Sequence, residues 1–118
     1  MQTSVLIADD RARSRSGMRA LLDLQPGIVV VGEAEDGREA VRLVEELQPD
    51  VVLMDVKMPV LDGLEATRRI KEQWPEVRVV VLTIHPGSHA EALAAGADAF
   101  LVKGCPVRDL RKAIQDHE

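Results

Sequence analysis

Five short runs rich in Val, Ile and Leu alternate with helix-patterned stretches along this chain of 118 residues. That alternation constrains the fold more than any other feature. Strands that take turns with helices pair in parallel through right-handed crossovers, so the sheet is covered by helices on both faces. The runs are continuously apolar rather than alternating, as expected for parallel strands buried on both sides. They are Ser4–Ala8, Ile28–Ala34, Val51–Met54, Arg78–Leu82 and Ala99–Val102.

The intervening stretches carry helix punctuation. The first helix is expected over Ala12 to Leu24, with Met18, Leu21 and Leu22 on one face and Pro26-Gly27 as its stop. Asp36 is placed to cap the second, with Glu39 three residues on as in a capping box, and Ala40, Val41, Val44 and Leu47 form its buried stripe ahead of Pro49. Asp62 and Glu65 repeat that spacing for the third helix, whose apolar face is Leu64, Thr67, Ile70 and Trp74, with Pro75 as terminator. Ser88 with Glu91 opens a short fourth helix ending at Gly96. Pro106 stands near the start of the last helix, which carries Val107, Leu110 and Ile114.

Five βα units are compatible with the doubly wound sheet order 2-1-3-4-5, whose switch point lies between strands 1 and 3. Asp9 and Asp10 end the first strand, Asp55 the third, Thr83 the fourth and Lys103 the fifth. Side chains at the carboxyl ends of such strands converge on one crevice. Carboxylates gathered there repel one another unless a cation is present. Magnesium takes oxygen ligands, needs few protein carboxylates and keeps sites for water and phosphate. The acidic group therefore points to Mg²⁺ and a phosphorylated partner. Thr83 can donate to a phosphoryl oxygen, and Lys103 offers a point positive charge.

Composition narrows the alternatives. A formal net charge of −5 argues against direct nucleic-acid binding by this segment. Arg11, Arg13, Arg15 and Arg19 form a basic cluster, read as a solvated face of the first helix. Aromatics are limited to Trp74 and Phe100, too few for flavin sandwiching or base stacking. The single cysteine, Cys105, has no disulfide partner and is read as a small buried residue in a protein of the reducing cytosol. No signal-peptide pattern and no apolar run of membrane-spanning length is present, so the expected location is cytoplasmic, away from any membrane.

With these residues in order, the sequence resembles the response-regulator receiver domains of two-component signalling. The resemblance rests on Asp9-Asp10, on Leu53-Met54-Asp55-Val56-Lys57-Met58-Pro59-Val60-Leu61-Asp62-Gly63, on Thr83 and on Lys103. It implies a flavodoxin-like receiver fold over residues 1–118, with any output domain outside this chain. It also implies roles. Asp55 would accept phosphate from a sensor histidine kinase as an aspartyl phosphate. Asp10 and Asp55 would ligate Mg²⁺ with the backbone carbonyl of Lys57, and Asp9 would act mostly through a bound water. Thr83 would move towards the phosphoryl group, Lys103 would pair with it, and Phe100 falls where the family places its switch aromatic. The segments Gly63–Ile70 and Leu101–Gly104 resemble the NarL/FixJ subfamily, whose receivers usually precede a LuxR-type DNA-binding domain and regulate transcription. A homodimer is possible on the same ground.

One departure stands out. Between Thr83 and Gly96 the chain is shorter than the family pattern, and Pro86-Gly87 sits where the fourth helix would begin. That helix is expected to be short, about two turns, which puts switching through it in question.

The main reading is thus a signalling switch that catalyses only its own phosphorylation and dephosphorylation. A pseudo-receiver that binds proteins without phosphorylation is the alternative. Two enzyme-like readings fit less well. Aspartate-nucleophile phosphatases place Asp-x-Asp after the first strand, where this chain has adjacent aspartates. A flavodoxin would need Ser14-x-Ser16-Gly17 as a phosphate loop, directly downstream of two repelling carboxylates. His85 at the rim is read as a surface histidine, Lys57 as a solvated lysine and Asp62 as a cap.

Overall fold

The computed structural model describes residues 2–115. Five parallel strands, β1 (Thr3–Ala8), β2 (Ile28–Ala34), β3 (Val51–Met54), β4 (Arg78–Thr83) and β5 (Ala99–Val102), form one sheet of order 2-1-3-4-5. The connecting helices are α1 (Ala12–Asp23), α2 (Gly37–Leu47), α3 (Gly63–Gln73), α4 (His89–Ala94) and α5 (Val107–Gln115). This is the flavodoxin-like arrangement expected from the alternation. Among the described residues no helix is long and apolar enough to cross a membrane.

Alternation along each strand divides the core into two layers. Val5, Ile7, Val51, Leu53, Val80 and Leu82 face one side, where they meet Leu22 of α1 and Leu110 and Ile114 of α5. Leu6, Ala8, Val52, Met54, Val79 and Val81 face the other, against Ala40 and Val44 of α2, Ala66 and Ile70 of α3 and Ala92 of α4. All six of the first set and all six of the second are buried, so the continuous apolar runs serve two cores at once.

Capping follows the sequence signals in part. Asp36 Oδ1 accepts from the Glu39 N–H at 2.8 Å, and Glu39 Oε1 reaches back to the Glu35 N–H at 2.7 Å, one residue beyond a standard box. The stop of α2 precedes Pro49: Gln48 turns left-handed, φ 48°. Asp62 Oδ1 accepts from the Glu65 N–H at 2.9 Å, but Glu65 turns its carboxylate to Arg68 and Arg69 instead of closing a box. Ser88 makes no side-chain cap; the chain enters α4 through a 3₁₀ turn at Pro86–Ser88. With six residues, α4 is as short as expected.

Four further expectations need correction. Leu47, the last residue of α2, is exposed, so the buried stripe of that helix rests on Ala40 and Val44 with Val41 partly covered. Val107, the first residue of α5, is exposed, and Ala113 completes the buried stripe with Leu110 and Ile114. Cys105 is only half-buried. The basic cluster is not uniformly solvated: Arg15 donates to the Asp9 carbonyl at 2.7 Å and to Glu33 at 3.2 Å, and Arg19 reaches the other Glu33 oxygen at 2.8 Å. These arginines tie α1 across β1 to β2, while Arg11 and Arg13 stay exposed.

Candidate functional site

Strand register sets the site. Ala8 pairs with Met54, so the next residues, Asp9 and Asp55, leave adjacent strands side by side. The Asp55 N–H donates to the Ala8 carbonyl at 3.0 Å, and the Asp9 N–H to that of Ala34, also at 3.0 Å. The loop after β3 is pulled back hard: the Gly63 N–H bonds the Val56 carbonyl at 2.7 Å, and a Cβ on Gly63 would stand 1.7 Å from the Asp55 carbonyl oxygen. Only glycine permits that approach of α3 to the end of β3.

Asp9, Asp10 and Asp55 each present an oxygen, and these lie within 4.8 Å of one another. Asp9 is buried, Asp55 half-buried and Asp10 exposed. The Lys103 ammonium enters this group from the end of β5, 2.7 Å from Asp9 Oδ2 and 3.2 Å from Asp55 Oδ2. Asp9 Oδ1 accepts from the Arg11 N–H at 2.9 Å, and Oδ2 from the Ser14 hydroxyl at 2.6 Å. Burial would raise the Asp9 pKa, but Lys103, Ser14 and the Arg11 N–H outweigh it and hold the carboxyl below its ordinary value. For Lys103, burial works downwards and the carboxylates of Asp9 and Asp55 prevail, raising it above the ordinary lysine value.

The two other oxygens nearest solvent are less committed. Asp55 Oδ1 accepts from the Val56 N–H at 2.8 Å, and Asp10 is open to the crevice. That crevice is lined by Asp10, Asp55, Lys57, Ile84, His85 and Lys103, with Arg11 at its edge. Three convergent carboxylates open to solvent on one side match the donor chemistry of a hard divalent cation. The Lys103 ammonium between them offsets part of their charge, and a dication would offset the rest.

Thr83 and Phe100 stand apart from this group. Thr83 ends β4, is fully buried, and its Oγ1 accepts from the His85 N–H at 3.2 Å. Its carbonyl takes the Lys103 N–H at 2.8 Å, which fixes the ends of β4 and β5 together. Phe100 is half-buried on the α4 side of the sheet and stacks on His89, ring centroids 4.8 Å apart at 23°.

Two participants escaped the reading of the sequence. His89 had no signal, since its contact depends on where a short helix docks. Ser14 had a faint one: a hydroxyl in the first turn of the helix that follows an acidic pair. Considered as part of a phosphate loop, it instead donates to one of the carboxylates that would have repelled the phosphate.

Comparison with known proteins agrees with this geometry. Residues 5–115 match the response regulator receiver domain. The transcriptional regulatory protein DegU of Brevibacillus brevis is 39% identical over 113 residues, covering 94% of this chain and 48% of that protein. The chain spans about half the length of the curated relatives it matches. A crystal structure of a LuxR-family two-component response regulator from Aurantimonas sp. SI85-9A1 superposes with a TM-score of 0.92 at 35% identity, over 98% of this chain and 84% of that one. The receiver domain of the sensor histidine kinase PA1611 from Pseudomonas aeruginosa PAO1, solved with a magnesium ion coordinated in its active-site cleft, gives a TM-score of 0.87 at 30% identity, over 99% of this chain and 98% of that one.

Proposed function

This chain belongs to the response regulator receiver domain family, and we propose that it is a phosphorylation-controlled switch with Asp55 as the phosphoacceptor. The observation that carries this reading is the placement of Asp55. It is one of three carboxylates meeting at the crevice, one of its oxygens is 3.2 Å from Lys103, and the crevice beside it is open to a phosphodonor.

Asp10 and Asp55 are the residues that would hold Mg²⁺, with the Lys57 carbonyl, while Asp9, whose oxygens are already engaged by Lys103, Ser14 and Arg11, would act through water. The bound ion would supply neutralisation of the charge that builds up during phosphoryl transfer. In transfer from a phosphohistidine, an Asp55 oxygen attacks phosphorus. The P–N bond breaks with its electron pair going to the imidazole, and an Oδ–P bond forms. Such a transfer needs positioning and charge stabilisation more than covalent help from the protein. Lys103 is in place to meet a phosphoryl oxygen, and Thr83 is the nearest hydroxyl on β4. The product carries a charge of about −1.5 to −2 at the rim, in place of the single charge of the free carboxylate. Drawing Thr83 outward to it would break the bond from the His85 N–H and disturb the turn that leads into α4, with Phe100 following.

The partners that fit are a sensor histidine kinase and, by likeness to DegU and the LuxR-family regulator, an output that controls transcription from the cytoplasm; a homodimer is compatible. In this reading residues 1–118 are the receiver part, and the chemistry is confined to its own phosphorylation and dephosphorylation. The six-residue α4 favours a second reading, a binding module that is never phosphorylated.

Incubation with Mg²⁺ and acetyl phosphate separates them. The wild type should gain one phosphoryl group by mass and Asp55→Asn none. An unmodified wild type, or equal labelling of the variant, would falsify the switch.

A further inference from the structure

Lys103 has a third partner that no role described so far uses. The Ser14 hydroxyl lies 3.2 Å from Lys103 Nζ, beside Asp9 Oδ2 at 2.7 Å and Asp55 Oδ2 at 3.2 Å. An ammonium carries three N–H donors, and here three oxygens surround it. Ser14 also gives its own proton to Asp9 Oδ2 at 2.6 Å. One hydroxyl therefore accepts from the lysine and donates to the carboxylate that the lysine also meets.

The surroundings make this bridge matter. Lysine is a compact charge on a flexible stem, without the planar fork that orients arginine. Its direction must be set from outside. Under the ammonium lies a void of about 20 Å³, walled by Met18, Leu53 and Leu82, which offers no other polar anchor. Apart from the charged residues, Ser14 is the one polar side chain in that wall. It sits in the first turn of α1, a helix fastened to the end of β1 by the Arg15 bond to the Asp9 carbonyl. The hydroxyl is thus held on a rigid element.

We propose that Ser14 is a positioning residue for the phosphoacceptor reaction: with Asp9 it fixes two of the three lysine N–H groups, so that the third faces Asp55 before phosphate arrives. This rests on the reading of Asp55 as phosphoacceptor. With acetyl phosphate, an Asp55 oxygen attacks phosphorus, the P–O bond to the acetyl group breaks, and acetate leaves with the electron pair. The proton count does not change. The N–H that pointed at Asp55 then meets a phosphoryl oxygen without a search, and a preoriented donor is worth more than one that must reorganise.

The test uses Ser14→Ala and Ser14→Thr in the whole chain. Ser14→Ala should slow labelling by acetyl phosphate about 3- to 10-fold, the range for losing one hydrogen bond of ordinary net worth. Its Mg²⁺ affinity should stay within about twofold, since Ser14 is not among the three convergent carboxylates. Ser14→Thr should restore the rate. In metal-free protein the Lys103 ¹⁵Nζ resonance should move in Ser14→Ala and return in Ser14→Thr. A wild type that takes no label overturns both this proposal and the phosphoacceptor reading. A wild type that labels, with Ser14→Ala equally fast or its lysine resonance unmoved, overturns this proposal alone.

Discussion

Lys103 Nζ lies 2.7 Å from Asp9 Oδ2, joining the ends of β5 and β1 across 94 residues of chain. Both side chains are largely withdrawn from water, at 22% and 7% exposure. The pair therefore has a measurable consequence for stability.

Replacing Lys103 by Met leaves Asp9 and Asp55 charged without their cation. In EDTA the variant should lose about 2–3 kcal/mol, somewhat under the usual cost of orphaning a fully buried charge because the lysine head is partly solvated. Added Mg²⁺ should recover much of that loss, and should stabilise Lys103→Met more than the wild type. Urea melts with and without Mg²⁺ check this; an identical Mg²⁺ effect in both proteins would mean that the carboxylates do not share the charge.

Removal of the metal gives a second prediction. A ligand that binds only the native state stabilises by about 2.7 kcal/mol at a hundredfold excess over its Kd. The melting temperature of the wild type should therefore rise with Mg²⁺ and fall back on chelation. Asp10→Asn should lose most of the rise, because Asp10 is the carboxylate most open to the crevice. Differential scanning fluorimetry across a Mg²⁺ series measures it.

Glu33 supplies a pH dependence remote from the crevice. Arg19, helped by Arg15, holds its carboxyl below the ordinary value of 4.5 against the opposing effect of burial. A depressed carboxylate stabilises above its unfolded pKa, and that contribution disappears as pH falls through the lower folded value. Glu33→Gln should cost about 1 kcal/mol at neutral pH. It should also flatten the acid side of the stability profile below about pH 4.5. Chemical denaturation from pH 3 to 7 tests both; a parallel displacement at every pH would assign the loss to packing instead.

Val60 carries strain that can be relieved. It is β-branched, 73% exposed, and holds φ at 69° in the loop between β3 and α3. Left-handed backbone costs such a residue about 1–3 kcal/mol, and asparagine far less. Val60→Asn should raise stability by about 1 kcal/mol. No gain in the urea midpoint would show that the loop relaxes without cost.

The His89–Phe100 stack fixes the start of the short α4 on β5. His89→Ala should lower stability by about 0.5–1.5 kcal/mol, the usual worth of such a ring pair. It should also speed amide exchange in residues 89–95 while leaving β1 and β3 protected. Uniform exchange changes would argue that α4 is held by Ala92 alone.

The order of elements, the sheet and the convergence of the acidic group could be read from the residues alone. Continuous Val/Ile/Leu runs can be buried only between two helix layers, and a strand's last residue must lie at the sheet's carboxyl edge wherever the strand sits. Asp36 and Asp62 declared two helix starts through the same short-range chemistry. The remainder depends on contacts between distant segments. Arg15 meets Glu33 across 18 residues, Ser14 meets Lys103 across 89, and His89 meets Phe100 only because a truncated helix docks where it does. Side-chain direction at these points follows from how helices settle on the sheet, a balance of packing that local propensity does not encode. Thr83 shows the division within one residue: its place at the end of β4 was legible, but its full burial and its bond from His85 were set by the fold around it.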